Sequence, residues 1–455
     1  RAVLSSTASV GGVDVEIASP SRAWTATGLV AGSLVNGSPS VITALQRAPQ
    51  RYFQRPDADH VELDPTRQRL GGYRAEASFA KTGGGRHWRG ALTLGATSPG
   101  FETNDLGFQV RADVLAADAY VHYNEPTPGP SWLRSARLSA YVNRGYTYGG
   151  ERVYDRLSSV LRLVFSNLWN ASMTLSGRPE QINDRLTRGG PLALRPSDVS
   201  LAVSSYTNSA RRVSGGLDVQ LRTEFAHDYQ GVGREWTRVV TPYLAVRPTD
   251  AIEVSFEPSY LGSRNTDQFL GRASAPGLAI AGQRILFADT RTESLDLTLR
   301  ADWAFSPTLT LQVAAVQSVF AVRFEDFREL AAPRTFDFVR YGETRGSVTP
   351  FVYGPDDTEA PPAPGEAPAG FRIDPGDGGD PFTVSNNDFT QLSLRGNAVL
   401  RWQWRPGSAL FLVWQQVRDE AGPFSGYDVV ADLPDVFSAN VQNVFLLKAT
   451  YWFGL

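Results

Sequence analysis

The residues best able to do acid–base or metal chemistry are few and widely separated. The four histidines, His60, His87, His122 and His227, lie far apart in the sequence, and none has the i, i+4 spacing of a zinc site. The chain contains no cysteine, which excludes thiol chemistry and disulfides. No nucleophile motif such as GxSxG occurs either, so we expect no catalytic residue and no enzyme. A Ser/His/Asp hydrolase around His227, in the segment HDYQG, remains as an alternative.

One acidic segment offers the oxygen ligands that calcium prefers. Asp374, Asp377 and Asp380 stand among glycines in segment 351–388, whose Pro/Ala/Gly-rich part is of low complexity. Such carboxylates could gather around Ca²⁺, although their spacing differs from that of an EF-hand. An acidic, solvated turn in a flexible segment is the interpretation we favour. A structural calcium ion is the only cofactor that the sequence suggests.

Charged residues of both signs recur at alternate positions in segments whose other positions are apolar. In residues 295–305, leucine, alanine, tryptophan and phenylalanine alternate with Asp296, Arg300 and Asp302. This alternation predicts strands with one apolar and one polar face. The residues that we expect to line an enclosed aqueous space are Arg137, Arg162, Arg222, Arg300, Arg395, Arg401, Glu224, Glu253, Asp296 and Asp302. Either they brace the wall as cross-strand pairs, which we favour for most of them, or they set the selectivity of a polar conduit.

The composition excludes membrane-spanning helices but not membrane-spanning strands. Of the 455 residues, 42% are hydrophobic and 20% are charged, and no run approaches the roughly eighteen apolar residues of a spanning helix. A membrane protein with this balance must be a β-barrel, whose inward side chains can stay polar. The alternative is a soluble all-β protein such as a sandwich, with the apolar residues buried between two sheets.

Short and long connections alternate along the chain. The longest connections are 36–69, 327–387 and 420–442, and short turns fall near residues 20, 84, 128, 167, 209, 248, 307 and 406. Bacterial outer-membrane barrels have short periplasmic turns and long external loops. Counting the intervening strands, with one further short strand at Ala2–Ala8, gives about eighteen. We therefore predict a transmembrane up-and-down antiparallel β-barrel that forms a single domain over residues 1–455.

The last strand is predicted to close this barrel. Residues 443–455 alternate in hydrophobicity and carry an apolar, aromatic face up to the end of the sequence. Aromatic rings favour the membrane–water interface. The residues expected in the closing strand and in an aromatic girdle at the short-turn side are Trp303, Trp402, Trp404, Tyr451, Phe453 and Leu455.

Four segments resemble an uncharacterised family of outer-membrane barrels. They are SPGFETNDLGF (98–108), TRTESLDLTLRADWAFSPTLTLQ (290–312), NDFTQLSLRGNAVLRWQWRPGSALFLVWQQ (387–416) and NVFLLKATYWFGL (443–455). In that family the barrel usually follows a domain similar to a family-nine carbohydrate-binding module. The resemblance covers essentially the whole chain and implies a Gram-negative outer membrane. It carries over no catalytic residues, and it departs at Leu455, where most assembly signals have phenylalanine.

Three functions follow as expectations. The first is a channel or docking barrel for polar solutes, with carbohydrate-related solutes among the candidates, because the expected lining is charged. The second is a plugged structural or assembly barrel that anchors a periplasmic or surface partner, and the third is the hydrolase. The partners expected are outer-membrane lipid, the barrel-assembly machinery and that periplasmic or surface protein. The net charge of −3 gives no indication of nucleic-acid binding.

Overall fold

The computed structural model describes residues 5–105, 107–225, 235–278, 282–354, 356–424 and 426–453. His227, Leu455 and the start of the predicted strand Ala2–Ala8 lie outside these residues. The prediction of a separate strand ending at Ala8 is wrong, because Thr7 and Ala8 belong to the first observed strand. No helix among the described residues is both long enough and apolar enough to cross a membrane.

The regular structure in this part of the chain is almost entirely β-strand. The first eight strands are β1 (Thr7–Ala18), β2 (Trp24–Asn36), β3 (Arg69–Lys81), β4 (Trp88–Thr97), β5 (Val114–Glu125), β6 (Leu133–Tyr146), β7 (Arg152–Phe165) and β8 (Asn170–Arg178). The next eight are β9 (Gln181–Asn183), β10 (Ala193–Arg195), β11 (Asp198–Tyr206), β12 (Val213–Glu224), β13 (Trp236–Thr249), β14 (Ile252–Ser274), β15 (Gln283–Ser306) and β16 (Leu309–Leu330). The last eight are β17 (Phe338–Arg340), β18 (Ser347–Tyr353), β19 (Glu359–Ala360), β20 (Gly370–Asp374), β21 (Phe382–Ser385), β22 (Phe389–Arg405), β23 (Ser408–Gly422) and β24 (Val441–Thr450). One α-helix, α1 (Pro39–Arg47), interrupts a segment expected to be irregular.

The long strands form one antiparallel meander. Each of β1–β8, β11–β16 and β22–β24 pairs with the next of these strands along the chain, and β17 adds a short strand beside β16, which makes eighteen. Within the described residues β1 pairs only with β2 and β24 only with β23, so the sheet has two free edges. The predicted number of strands and their up-and-down order are confirmed. Closure is not seen, and β24 ends at Thr450, short of the predicted end of the closing strand.

On successive strands of the meander, one face is apolar and the other is polar. Leu201 of β11 lies opposite Leu221 of β12, whereas the neighbouring Ser200 lies opposite Arg222. The apolar side chains point away from the protein, since Trp303 and Trp402 remain 45% and 49% exposed. A sandwich would bury these rings between two sheets, so the soluble sandwich alternative does not describe this chain.

Successive connections necessarily lie at opposite ends of an antiparallel meander. One end carries short turns, of which 250–251, 307–308 and 406–407 have two residues each. The other end carries the longer connections, which are 37–68, 98–113, 147–151, 179–197, 225–235, 275–282, 331–388 and 423–440. Apart from 147–151, each is longer than the short turns. The sorting of loop lengths by side is therefore present in the fold.

Several long connections fold back over the sheet. Val35 of β2 and Leu70 of β3 are 2% exposed because Ile42 of α1 and Phe53 pack on them. Both strand residues lie on the same face as Ser33, whose hydroxyl accepts a hydrogen bond from the Glu102 backbone N–H at 2.8 Å. This is the polar face, so connections 37–68 and 98–113 cover the polar side of the sheet.

Connection 423–440 takes the opposite side. Val429 packs on Val319 of β16 and Leu295 of β15, and Val319 is fully buried. Since Val319 and Leu295 are directly paired and belong to the apolar face, this connection covers that face at the long-loop end. The exposed part of the apolar face therefore lies between this segment and the short turns.

Candidate functional site

The cross-strand register places all ten predicted lining residues on one face, which we call the polar face. Arg137 lies opposite Arg162, and Arg162 lies opposite Ser172. The same chain of opposed residues continues from strand to strand to the others of the set, which are Arg222, Glu224, Glu253, Asp296, Arg300, Asp302, Arg395 and Arg401. That this face encloses water stays a prediction.

Cross-strand bracing accounts for part of this set. Glu253 pairs with Arg247 at 2.8 Å, and Arg395 pairs with Asp419 at 3.4 Å across β22 and β23. Asp296 accepts hydrogen bonds from the hydroxyls of Ser294 and Ser318. By contrast, Arg162 and Arg300 have no ion pair among the described residues. The polar face thus contains both compensated and uncompensated charges.

A cluster of buried ion pairs ties three long connections together. Arg55, from connection 37–68, contacts Asp113 at 3.2 Å and Asp184 at 3.0 Å. Asp113 ends connection 98–113, and Asp184 lies in connection 179–197. Arg111, which also belongs to connection 98–113, binds Asp184 at 2.7 Å. The side chains of Arg55 and Asp113 are 2% and 3% exposed. We call this assembly the loop cap.

Further contacts extend the loop cap to two more connections. Arg334 of connection 331–388 pairs with Glu151 of connection 147–151 at 2.5 Å. The backbone N–H of Leu194 donates to the Thr335 carbonyl at 2.9 Å. Five of the long-end connections therefore form one assembly.

A second cluster anchors the polar face directly beneath the cap. Arg178 of β8 binds Asp198 at 2.6 Å and Glu224 at 3.0 Å. Arg222 joins the same two carboxylates and reaches Glu235 at 2.8 Å. Asp198 and Glu224 are almost fully buried. Two of the predicted lining residues, Arg222 and Glu224, therefore belong to a buried network and not to an open wall.

A third cluster holds the long connection after β16. Arg284 of β15 binds Glu329 at 2.8 Å and the carboxylate of Asp377 through both oxygens, at 2.7 and 2.8 Å. Arg345 contacts Glu329 and Asp377 as well. The small sheet of β18–β21 is held to the main sheet by these arginines and by an apolar cluster around Phe327 and Ile373.

The pKa shifts of the loop residues follow from burial and pairing. Burial lowers the pKa of Arg51 although Glu102, 2.6 Å away, opposes this shift. Burial also lowers the pKa of Arg185. The hydrogen bonds from Arg284 lower the pKa of Asp377. Taking a charge out of water costs free energy, so each of these buried ions depends on its ion-pair partner.

The predicted calcium ligands do not converge. Both oxygens of Asp377 are engaged by Arg284, and Asp374 accepts a hydrogen bond from the Gly376 backbone N–H. Across the described residues no group of three acidic or histidine side chains is arranged to hold a metal ion. A carboxylate paired in this way to a guanidinium is a poor calcium ligand, and the solvated acidic turn stays a prediction.

One histidine does join a charged cavity. His60 lies 2.8 Å from Asp113 through its Nε2 atom, beside a cavity of about 360 Å³ at the edge of the loop cap. Asp113 is also bound by Arg55. The described lining of this cavity contains a threonine, Thr147, but no serine. The hydrolase alternative was placed around His227, which lies outside the described residues, so it stays a prediction.

The aromatic residues predicted for the girdle lie at the short-turn end. Trp402 and Trp404 precede turn 406–407, and Trp303 stands three residues before the end of β15. Tyr451 and Phe453 follow β24 and do not belong to it, with the Tyr451 ring under the Arg405 guanidinium at 3.9 Å. Their interfacial role stays a prediction.

Sequence reasoning missed the loop cap entirely. Arg55 and Asp184 are 129 positions apart, and neither stands in an alternating segment. The only available signal was that segment 36–69 contains several arginines and aspartates, which also suits a solvated loop.

Comparison with known proteins identifies the chain at the level of a family. A comparison with curated proteins gave no match. The model of DUF5916, a domain of unknown function, matches residues 7–340, which extend from β1 to β17. The matched region includes most of the meander and four of the five connections of the loop cap in full. Because this match covers well over half of the sequence, the chain belongs to the DUF5916 family.

Proposed function

We propose that this protein is a β-barrel of the Gram-negative outer membrane, plugged at its long-loop end, that docks partners or solutes and does not conduct freely. The observation that carries the proposal is the division of one continuous sheet into an exposed apolar face and a polar face on which loops pack. Soluble monomers rarely expose apolar patches of more than a few hundred Å². Hydrocarbon suits such a face, since every interior backbone group of the sheet is already paired.

The height of the exposed apolar face supports a membrane location. Ten residues separate Leu309, at the short-turn end of β16, from Val319, where connection 423–440 begins to cover the face. At about 3.3 Å per residue and a tilt of about 40°, they span about 25 Å along the barrel axis. This matches the apolar band of about 25 Å in outer-membrane barrels. A lipid bilayer would then contact the rings at one border and segment 423–440 at the other.

Closure of the barrel is part of the proposal and requires further strands. Without the short β17, the meander has seventeen successive strands, an odd number, so β1 and β24 run in the same direction. Antiparallel closure therefore needs an odd number of additional strands between them. One added strand would give the even number found in single-chain bacterial barrels.

The loop cap favours the plugged barrel over the open channel. Connections 37–68 and 98–113 pack on the polar face at the long-loop end, where an open channel would need free space. Buried ion pairs between connections, as at Arg55, Asp113 and Asp184, also resist displacement, because separating them leaves a charge without a partner. The partner class we propose is a periplasmic or surface protein in a carbohydrate-related system, in keeping with the association that the resemblance implies.

Planar-bilayer recording tests the proposal. The purified protein, folded in detergent and inserted into the bilayer, should carry no steady current. The variant Asp184→Ala removes a carboxylate that Arg55 and Arg111 share, so intermittent current should appear as the cap loosens. The matched control Asp296→Ala removes a polar-face carboxylate outside the cap and should stay silent.

Two results would contradict this function. A steady current through the wild-type protein would restore the channel as the better reading. Failure to sediment with neutral lipid vesicles, by protein shown to be folded by circular dichroism, would remove the membrane location. Fractionation of cells that produce the protein, with the protein found in the outer membrane, is the expected complement.

A further inference from the structure

Two arginines face each other on the polar face without a compensating acid. Arg137 of β6 and Arg162 of β7 are direct cross-strand partners near the short-turn end. Both side chains are exposed. Like charges in this position destabilise a sheet, so the pair needs either a structural partner or a ligand.

The structural partners are neutral. Arg137 donates from Nε to the side-chain oxygen of Asn124 on β5, and Arg162 has no ion pair among the described residues. Across the row, Arg162 is followed by Ser172, Ser204 and then Asp218. Asp218 is three strands from Arg162, which is about 14 Å at 4.8 Å per strand. Its carboxylate accepts a hydrogen bond from the Tyr206 hydroxyl.

Among the described residues, the one carboxylate near the pair belongs to the other side of the sheet. Glu125 follows Asn124 in β5, so its side chain alternates to the apolar face. There it accepts a hydrogen bond from the Tyr123 hydroxyl at 3.3 Å and lies 3.5 Å from His87. The polar face around the pair instead carries His122, which shares a hydrogen bond with Ser139. The local field on this face is therefore positive.

The pair also has room for a ligand. A cavity of about 280 Å³ is lined by four residues of the polar face, Arg137, Arg162, Asn124 and Ser135. Its lining also includes Glu125, Pro126, Ala136 and Val164. It lies next to the turns at 126–132 and 166–169, at the end that the loop cap leaves uncovered. Two guanidinium groups side by side suit a multidentate oxyanion, which they can bind through several N–H donors at once.

We propose that Arg137 and Arg162 form an anion site that binds the phosphate group of a soluble ligand entering from the short-turn end. This inference rests on the proposed function, because it names the class of ligand, a phosphate-bearing molecule, that the docking barrel binds. Asn124 orients Arg137, and Ser135 offers a hydroxyl donor at the rim. A bound phosphate removes the repulsion between the two cations.

Isothermal titration calorimetry with inorganic phosphate tests the site. The full chain in a non-ionic detergent is titrated at constant ionic strength, with glucose as a neutral probe. Phosphate should bind saturably and glucose should not. Arg137→Gln and Arg162→Gln should each weaken phosphate binding by about tenfold or more, since a hydrogen bond to a charged group contributes about 1.5–3 kcal/mol.

Arg300→Gln is the matched control. Arg300 is likewise an exposed arginine of the polar face without an ion pair among the described residues, but Asp302 stands two positions away on the same face. Its replacement should leave phosphate binding unchanged. A second readout needs no ligand: in phosphate-free buffer, Arg137→Gln should raise the urea midpoint of unfolding, because it relieves the repulsion, and phosphate should raise the midpoint of the wild type.

The site is overturned if phosphate gives no saturable heat up to about 10 mM, or if Arg137→Gln and Arg162→Gln bind it as the wild type does. Equal loss in Arg300→Gln would likewise overturn it, as a general effect of charge. These measurements are made in detergent and do not depend on conductance. A conducting wild type that still binds phosphate would therefore refute the plug and leave the anion site standing.

Discussion

At the scale of single residues, buried charge pairs distinguish this protein from a simple barrel wall. Arg55 holds Asp113 and Asp184 together, because its buried guanidinium would have no ionic partner without these two carboxylates. Their net contribution to stability is small, since pairing is offset by desolvation, but loss of one partner costs about 3–5 kcal/mol. Such pairs act mainly to fix one arrangement of the loops.

Asp377 gives this scale a pH-dependent prediction. Its pKa is lowered in the folded protein by hydrogen bonds from Arg284, so its contribution is present above the unfolded pKa, about 3.9, and is lost as pH falls through the folded pKa. Protease cleavage in segment 347–385 should therefore rise as the pH falls below about 4.

In the variant Asp377→Asn, the side chain at position 377 is neutral and cannot form the ion pair with Arg284. At pH 7 its segment 347–385 should be cleaved about as fast as that of the wild type at low pH, because the ion pair with Arg284 is missing in both. Asp380→Asn, an exposed neighbour, serves as the control. Identical cleavage of Asp377→Asn and the wild type at pH 7 would show that Arg284 does not hold this segment.

At the scale of elements, alternation decides the strands wherever one side is apolar. The alternation of apolar and polar residues that follows the short turns near 248 and 307 predicts strands at 251–262 and 308–326. The structure has Ile252–Ser274 and Leu309–Leu330. The extra length of β14 was missed because the register shifts between Asn265 and Gln268, and a bulge breaks the period of two. At the long-loop end, β14 and β16 pack among loops, so apolar and polar residues alternate less regularly there.

The hairpin of β22 and β23 supports a prediction at this scale. Gly407 in its two-residue turn has φ +79°, and a Cβ there would come within 2.8 Å of the Trp452 Cβ. Gly407→Ala should therefore destabilise the protein by at least about 1–2 kcal/mol, since the left-handed conformation is unfavourable for other residues. Urea unfolding in detergent measures the effect.

Gly95→Ala in β4 is the control for the hairpin variant. Gly95 has open space where a Cβ would be and no left-handed backbone, so its urea midpoint should change little. An equal midpoint shift in the two variants would mean that the turn conformation does not limit stability.

At the scale of the whole molecule, strand parity constrains how the sheet can close. β1 and β24 run in the same direction, and nearly all of their residues are exposed. In the proposed barrel, two copies related by an axis along the barrel would also bring these edges together in parallel. An intervening antiparallel strand satisfies both edges, because it pairs with each of them in the manner of the rest of the meander.

Cysteine pairs measure this arrangement directly, since the chain has no cysteine of its own. With one strand between the edges, Val13→Cys and Phe445→Cys should be about 10 Å apart and should not form a disulfide, which needs Cα atoms within about 7 Å. Trp414→Cys with Phe445→Cys, at directly paired positions of β23 and β24, should oxidise readily. Equally fast oxidation of the first pair would show direct contact of β1 and β24.

The sequence alone determined most of the long strands, their up-and-down order and the face on which the ten predicted lining residues stand. These are local consequences of a period of two, and Arg137, Arg300 and Asp302 could be assigned to one face from spacing alone. Only the tertiary structure decided which charges meet across loops, as at Arg55 and Asp184, and that loops cover the polar face. Such contacts join residues more than a hundred positions apart, and no local pattern encodes them because a solvated loop and a buried ion pair use the same residue types.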